Sequence, residues 1–245
     1  MIIASKKDIA GMNIAEILEA KGVKVHYIEE SQILAENLPK SEYYVFASRH
    51  KSESGETCLT VHTTGNFSDE ASHGGNPKEL AYCNPFMMRS ALKILKEKNI
   101  TNVPVVMEAT HHGPTNLKSP VIFIEVGSKE KDWENKEYCG FVAETIVELI
   151  NSKITENESY IYFGGSHYNE EATRLMVKNY AIGHICPKYA CDFADEEIIK
   201  QMIEKTKNSS CAIIDWKLKS EEKNRIVGIL DKLNFPWIKK QSIKD

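Results

Sequence analysis

Nowhere in this 245-residue chain does an apolar stretch run for the roughly 18 residues that a membrane-spanning helix needs, so no membrane partner is expected. The opening segment, MIIASKKDIAG, lacks a basic start followed by a long apolar stretch, so no signal peptide is expected. A C-x-x-C pair is also missing. The six cysteines (Cys58, Cys83, Cys139, Cys186, Cys191 and Cys211) are scattered, whereas a secreted disulfide framework is shorter and denser. They read as reduced, buried, small apolar residues, and the expected compartment is the cytoplasm. Positive charge is not in excess either: 31 Lys and Arg against 35 Asp and Glu leave a net −4, which argues against DNA or general nucleic-acid coating. A late basic cluster (Lys217, Lys219, Lys223, Arg225, Lys239 and Lys240) reads as a solvated face. Aromatics make up only 9%, which counts against a non-catalytic RNA-binding protein that stacks bases over a broad surface. No full G-x-G-x-x-G, Walker, H-E-x-x-H or G-x-S-x-G pattern occurs, so dinucleotide binding, zincin chemistry and a hydrolase elbow find no support.

What the chain does have is alternation of strand-like and helix-like runs. IIAS (2–5), VKVHYI (23–28), YYVFAS (43–48), CLTVHT (58–63), VPVVME (103–108), PVIFIEV (120–126), SYIYF (159–163) and CAIIDW (211–216) read as strands. Ile9, Met12, Ile14, Ile17 and Leu18 recur at helical spacing before Gly22. A second helix should start at Pro85 behind an Asn84 cap, and others cover about 132–150, 170–180, 195–206 and 220–233. Strands separated by helices predict an α/β fold: a single three-layer α/β/α domain over 1–245, with a largely parallel mixed sheet. No composition shift or linker divides the chain.

Six of the eight histidines (His50, His62, His111, His112, His167 and His184) sit in short polar segments that follow or end strand-like runs. Neutral imidazole is the commonest metal ligand and a general base near pH 7, and open α/β sheets build sites at strand ends. If the strands are parallel, His50, Glu108, His111, His112 and His167 converge at one sheet edge. His62, His111, His112, His167 and His184 are the candidate metal ligands, with Glu108 or Glu125 as carboxylate partners, and zinc is the expected ion. Glu108, His111, His112 and His50 are the catalytic candidates, with Glu108 acting as base or as orienter of an imidazole. Adjacent His111 and His112 should diverge in an extended segment, one ligating and the other standing behind it. Gly164-Gly165 reads as a tight turn before a helix or as a phosphate-approach loop. With Ser54, Gly55 and Thr110, these glycines complete the candidate substrate-binding positions. A metal-dependent peptidase or amidohydrolase could use the same histidines.

Four segments then carry a family resemblance. SGETCLTVHTTGN (54–66), EATHHGPT (108–115) and the pair GGSHY (164–168) and GHICPKYA (183–190) together resemble the archaeal and plant type of D-aminoacyl-tRNA deacylase. The similarity runs over nearly the whole chain, with Ser166 standing where a third glycine is expected. It implies hydrolysis of the ester that joins a D-amino acid to the tRNA 3′ end, a zinc requirement, and a phosphorylase/hydrolase-like three-layer fold related to peptidyl-tRNA hydrolase. D-aminoacyl-tRNA is then the partner, and a monomer is expected. A metal-free route through the terminal ribose hydroxyl stays chemically open.

Overall fold

The computed structural model describes residues 1–53 and 55–243. Its strands are β1 (Ile2–Ser5), β2 (Val25–Ile28), β3 (Tyr44–Lys51), β4 (Cys58–His62), β5 (Val105–Met107), β6 (Val121–Ser128), β7 (Ser159–Phe163), β8 (Ala181–Cys186), β9 (Ser209–Ile214) and β10 (Trp237–Lys239). The helices are α1 (Ile9–Ala20), α2 (Pro85–Lys98), α3 (Glu130–Trp133), α4 (Lys136–Asn151), α5 (Glu170–Val177), α6 (Glu196–Lys205) and α7 (Ser220–Lys232).

The expected mixed, largely parallel arrangement is present, but in two sheets rather than one. The larger has the order β2-β1-β3-β6-β4-β5 and the smaller β10-β9-β7-β8. Every pairing is parallel except β4 with β6. Helix α2 starts as its sequence requires: Asn84 Oδ1 accepts from the Phe86 and Met87 amides, and Pro85 occupies the first turn. The helix expected over 132–150 is split into α3 and α4, because Asn135 caps the second piece. The strand β8 was not anticipated, since Gly183 and His184 interrupt AIGHIC; all six of its residues are buried, and packing overrides that local signal.

Central strands of the large sheet are covered on both faces, which is why all eight residues of β6 are buried. One face turns Val45, Ala47, Leu59, Val61, Ile122, Ile124 and Val126 into a core with Ile14, Leu18, Met88, Leu92, Val142 and Ile146 of α1, α2 and α4. Each buried Val, Leu, Ile or Met among these contributes about 1.5–3 kcal/mol by leaving water. Tyr162, Ile182, Ile185 and Ile213 of the small sheet join the same core. A second core packs α6 and α7 against the small sheet through Ile198, Met202, Ile226 and Leu230. The remaining face of the large sheet meets irregular segments through Ala35, Ala81 and Leu117, and it carries the polar residues described next. Among the described residues, no helix is long and apolar enough to cross a membrane, and all six cysteines are free.

Candidate active site

Period-two alternation gives this face of β3, β6 and β4 three cross-strand rows. Ser48, Glu125 and Thr60 form one; His50, Gly127 and Cys58 form the next; Phe46, Phe123 and His62 lie on the other side. The expected residues His50, Glu108, His111, His112 and His167 do come together, but not at one carboxyl edge, because β5, which leads into Glu108, is parallel to β4 and so runs against β6 and β3. Because β4 runs against β6, His62 stands level with Phe123 while His50 stands level with Gly127, towards opposite ends of the strands. The groups meet over the face, with segment 108–112 and the loop after β7 laid across it. Gly127 makes room: a Cβ there would come within 2.5 Å of His50 Cβ.

Two buried carboxylates organise the cluster. Glu125 Oε2 lies 3.5 Å from His50 Nδ1, 3.5 Å from His62 Nε2 and 3.4 Å from Thr60 Oγ1. Glu108 places Oε1 3.2 Å from His50 Nδ1, and Oε2 2.8 Å from His167 Nε2 and 3.6 Å from His111 Nε2. Burial opposes charge on His50, but the two carboxylates outweigh it and push the ring up to about 12. His50 is therefore an imidazolium, with Nε2 2.6 Å from the Tyr168 hydroxyl. Burial likewise opposes charge on the carboxylates; the histidines still hold Glu108 well below its usual range and Glu125 down to about 2.

A second group consists of His62, His111 and His112, whose ring centroids lie 4.3–5.0 Å apart. The two neighbours do not diverge as an extended segment would require. His112 takes φ of +43°, a left-handed conformation rare for a side chain of this size, and the reversal turns its ring back beside His111. In each of the three rings Nδ1–H can donate to a backbone carbonyl: His62 to Thr63 at 3.1 Å, His111 to Ala109 at 2.8 Å, and His112 to Gly113 at 2.6 Å. That leaves Nε2 lone pairs on His111 and His112. His62 Nε2 is buried with no hydrogen-bond partner, and although burial opposes charge on this ring, Glu125 and Glu108 push it up from its ordinary value, so an ion held there takes the place of a proton. Burial and mutual repulsion push His111 well below its ordinary value, and burial with His62 beside it takes His112 down to about 4, so both rings stay neutral. Neutral imidazoles oriented through the second nitrogen are what a metal requires of its ligands.

Three groupings bring potential ligand atoms within 4.8 Å of one another: His62/His111/His112, Glu108/His111/His167 and His50/Glu108/Glu125. The first fits a divalent ion, as three nitrogen donors leave a tetrahedral position open. The third is an ion-pair network in which His50 lies between the two carboxylates. His167 belongs to the second, partly exposed, with Nδ1 3.2 Å from the Tyr189 hydroxyl.

His184 is not brought to either group. Its Nε2–H donates to Ala81 O at 3.0 Å and its Nδ1 accepts from Thr110 Oγ1 at 3.2 Å, so both nitrogens are engaged inside the core. Burial pushes it down to about 3, and it is a neutral structural pin. Thr110 backs His111 while holding His184. Gly164 and Gly165 (φ +126° and +74°) form a tight turn packed on Asp215 and Asn169; they line neither cavity described below, and neither does Gly55. Ser54 lies outside the described residues. Tyr168, Tyr189 and His73 were not anticipated. Tyr168 directly follows the GGSH turn, which was the available signal, and Glu125 stood out as the one charge inside PVIFIEV.

A cavity of about 420 Å³ opens onto His50, His111, His112, Glu125 and His167, with Gln32, Arg49 and His73 on its walls. A smaller one, about 290 Å³, lies against His111, His112, Thr110, Tyr189 and Phe193. Three larger hollows, about 480, 670 and 770 Å³, contain no histidine and none of this network.

Sequence and fold comparisons bear on the family and the fold. The family described as D-aminoacyl-tRNA deacylase matches residues 38–238. A D-aminoacyl-tRNA deacylase from Methanococcus vannielii is 36% identical, covering 97% of this chain and 98% of its own length. One from Methanocaldococcus jannaschii is 35% identical with the same coverage, and one from Methanosarcina acetivorans is 38% identical over 89% of this chain and 76% of its own length. A crystal structure titled as a conserved protein of unknown function superposes with a TM-score of 0.92 and 26% identity, covering 99% of this chain and 95% of the other. With the family pattern spanning most of the residues that build both sheets and the histidine cluster, this chain belongs to the D-aminoacyl-tRNA deacylase family.

Proposed function

We propose that this chain hydrolyses the ester of D-aminoacyl-tRNA, releasing the free D-amino acid and intact tRNA, and that residues 1–245 act as one deacylase domain. The core shared by the two sheets supports the latter. The observation that carries the chemistry is the gathering of three imidazoles, His62, His111 and His112, beside a carboxylate-oriented histidine at the mouth of one cavity. A tRNA substrate makes the cytoplasm the working compartment.

His62, His111 and His112 would hold a divalent ion, with zinc the ion proposed. Bound there, it supplies Lewis-acid activation at neutral pH. Glu108 accepts from His167 Nε2–H, which leaves the Nδ1 lone pair, now facing the Tyr189 hydroxyl, free to take a proton. Water adds to the ester carbonyl carbon as His167 removes its proton. The bond from that carbon to the ribose oxygen then breaks, and the same proton passes to the ribose oxygen. The His50 imidazolium lies against both carboxylates, offsets one of their two charges, and keeps Glu108 ionised and in place. Glu125, lining the larger cavity, is the acidic partner for the substrate's α-ammonium.

The test is deacylation of matched D- and L-tyrosyl-tRNA with and without a chelator. Release of the D form much faster than the L form, with reversible loss on chelation, is the expected result. Equal rates on both enantiomers would overturn the assignment, and robust peptide cleavage without ester cleavage would favour a metal-dependent amidohydrolase.

A further inference from the structure

His111 and His112 line both cavities, so whatever reacts at them has room on two sides. The walls differ in kind. Of the carboxylates lining the two, the larger cavity has the buried Glu125, whereas the smaller has only the exposed Glu70. The smaller is rimmed by Tyr189 and Phe193, 61% and 48% exposed, with Phe67 and Ala190 buried beneath. Both rings are exposed and border the same cavity, so they offer aromatic contact area to whatever enters it.

The backbone beneath these rings is held firmly. The Lys188 amide donates to Gly165 O at 3.0 Å, the Arg225 guanidinium donates to Cys191 O, and Ala190 and Cys191 are buried. Tyr189 and Phe193 stand on a six-residue 3-10 turn, Lys188–Phe193, and both border the smaller cavity, so the firm backbone holds two aromatic rings at the cavity's rim. The near edge of this rim reaches the reacting groups, since the Tyr189 hydroxyl lies 3.2 Å from His167 Nδ1.

We propose that this smaller cavity seats the 3′-terminal adenine of the tRNA, stacked on Tyr189 and Phe193, while the aminoacyl group enters the larger cavity. The proposal rests on the deacylase reading. An aminoacyl-nucleoside has a flat heteroaromatic arm and a cationic arm on either side of its ester. The aromatic rim suits the first; to the second the larger cavity offers Glu125 as its one carboxylate, on walls that also carry Arg49, Lys51 and the His50 imidazolium. Stacking tolerates any sequence further along the strand, so one platform serves every tRNA, because all end in the same nucleoside.

The experiment measures kcat and KM for D-alanyl- and D-tyrosyl-tRNA, with AMP as competitive inhibitor, in wild type, Phe193→Ala, Tyr189→Leu and Tyr189→Phe. Phe193→Ala and Tyr189→Leu should raise KM about tenfold for both esters and weaken AMP by a similar factor, the scale of one lost stacking contact. Tyr189→Phe, which keeps the ring, should retain the wild-type KM, and Phe193→Ala should leave kcat and thermal unfolding nearly unchanged. A KM effect confined to the tyrosyl ester would put the amino-acid side chain on the platform and overturn the proposal, as would unchanged KM and AMP inhibition. Should the wild type cleave neither ester, the deacylase reading fails on its own. Calorimetric AMP binding then decides the platform: weaker binding in Phe193→Ala supports it, and equal or absent binding in the wild type overturns it.

Discussion

His167 Nε2 stands 2.8 Å from Glu108 Oε2 across 59 residues of sequence. The isolated bridge between Glu108 and Tyr168 brings the two segments together, and Ala109 N donates to His167 O at 2.8 Å beside it. A carboxylate that accepts from one imidazole nitrogen fixes the ring's tautomer and leaves the other nitrogen for proton transfer.

Glu108→Gln and His167→Ala should each lower single-turnover deacylation by about two to four orders of magnitude, the scale of a lost general base or its orienting partner. His26→Ala, in β2 and outside the network, should change turnover little. Thermal unfolding of each variant separates lost chemistry from lost fold, and full turnover in His167→Ala would contradict the proposed proton path.

Zinc should survive purification in the wild type and be lost from His62→Ala, His111→Ala and His112→Ala, as read by elemental analysis. Zinc supplied at about 100 times its dissociation constant should stabilise the wild type by about 2.7 kcal/mol while leaving His112→Ala nearly unmoved. Equal stabilisation of the two by zinc would show that the ion sits elsewhere.

Burial lowers His184 to about 3, with the Ala81 carbonyl acting the other way, whereas the unfolded ring titrates near 6.5. Between those values the unfolded chain binds a proton that the folded chain does not. The stabilisation is therefore complete above pH 6.5 and falls as pH drops towards 3, by up to about 1.4 kcal/mol per unit. Urea unfolding at pH 4 to 6 should show a shallower pH slope in His184→Gln than in the wild type. An unchanged slope would mean that the ring is not buried as a neutral group.

Gly127→Ala should cost about 1–3 kcal/mol of stability by overpacking, because the new Cβ meets His50 Cβ and O at 2.5 Å. Turnover should fall with it as the His50 imidazolium is displaced from Glu108. A variant with wild-type melting temperature and rate would show that the strands separate there at no cost.

Much of this protein is set by local sequence. The Asn84-Pro85 start of α2, the helical spacing through Leu18 and the β-branched run of β6 specify their elements with no help from distant residues, because capping, period and propensity act over a few positions. The histidine-bearing segments were legible too, since imidazoles in polar segments beside strand-like runs have a restricted chemical use. Tertiary structure alone decided how they group. The reversal of β4 moved the meeting place from a strand edge to a sheet face, and the left-handed turn at His112 put two neighbouring rings side by side. Packing also withdrew His184, whose strand is buried in the core with both ring nitrogens engaged, and it made Glu125 the link between His50 and His62. Strand direction and long-range pairing are properties of the whole chain, since the free energy that selects them comes from burial shared among segments far apart in sequence.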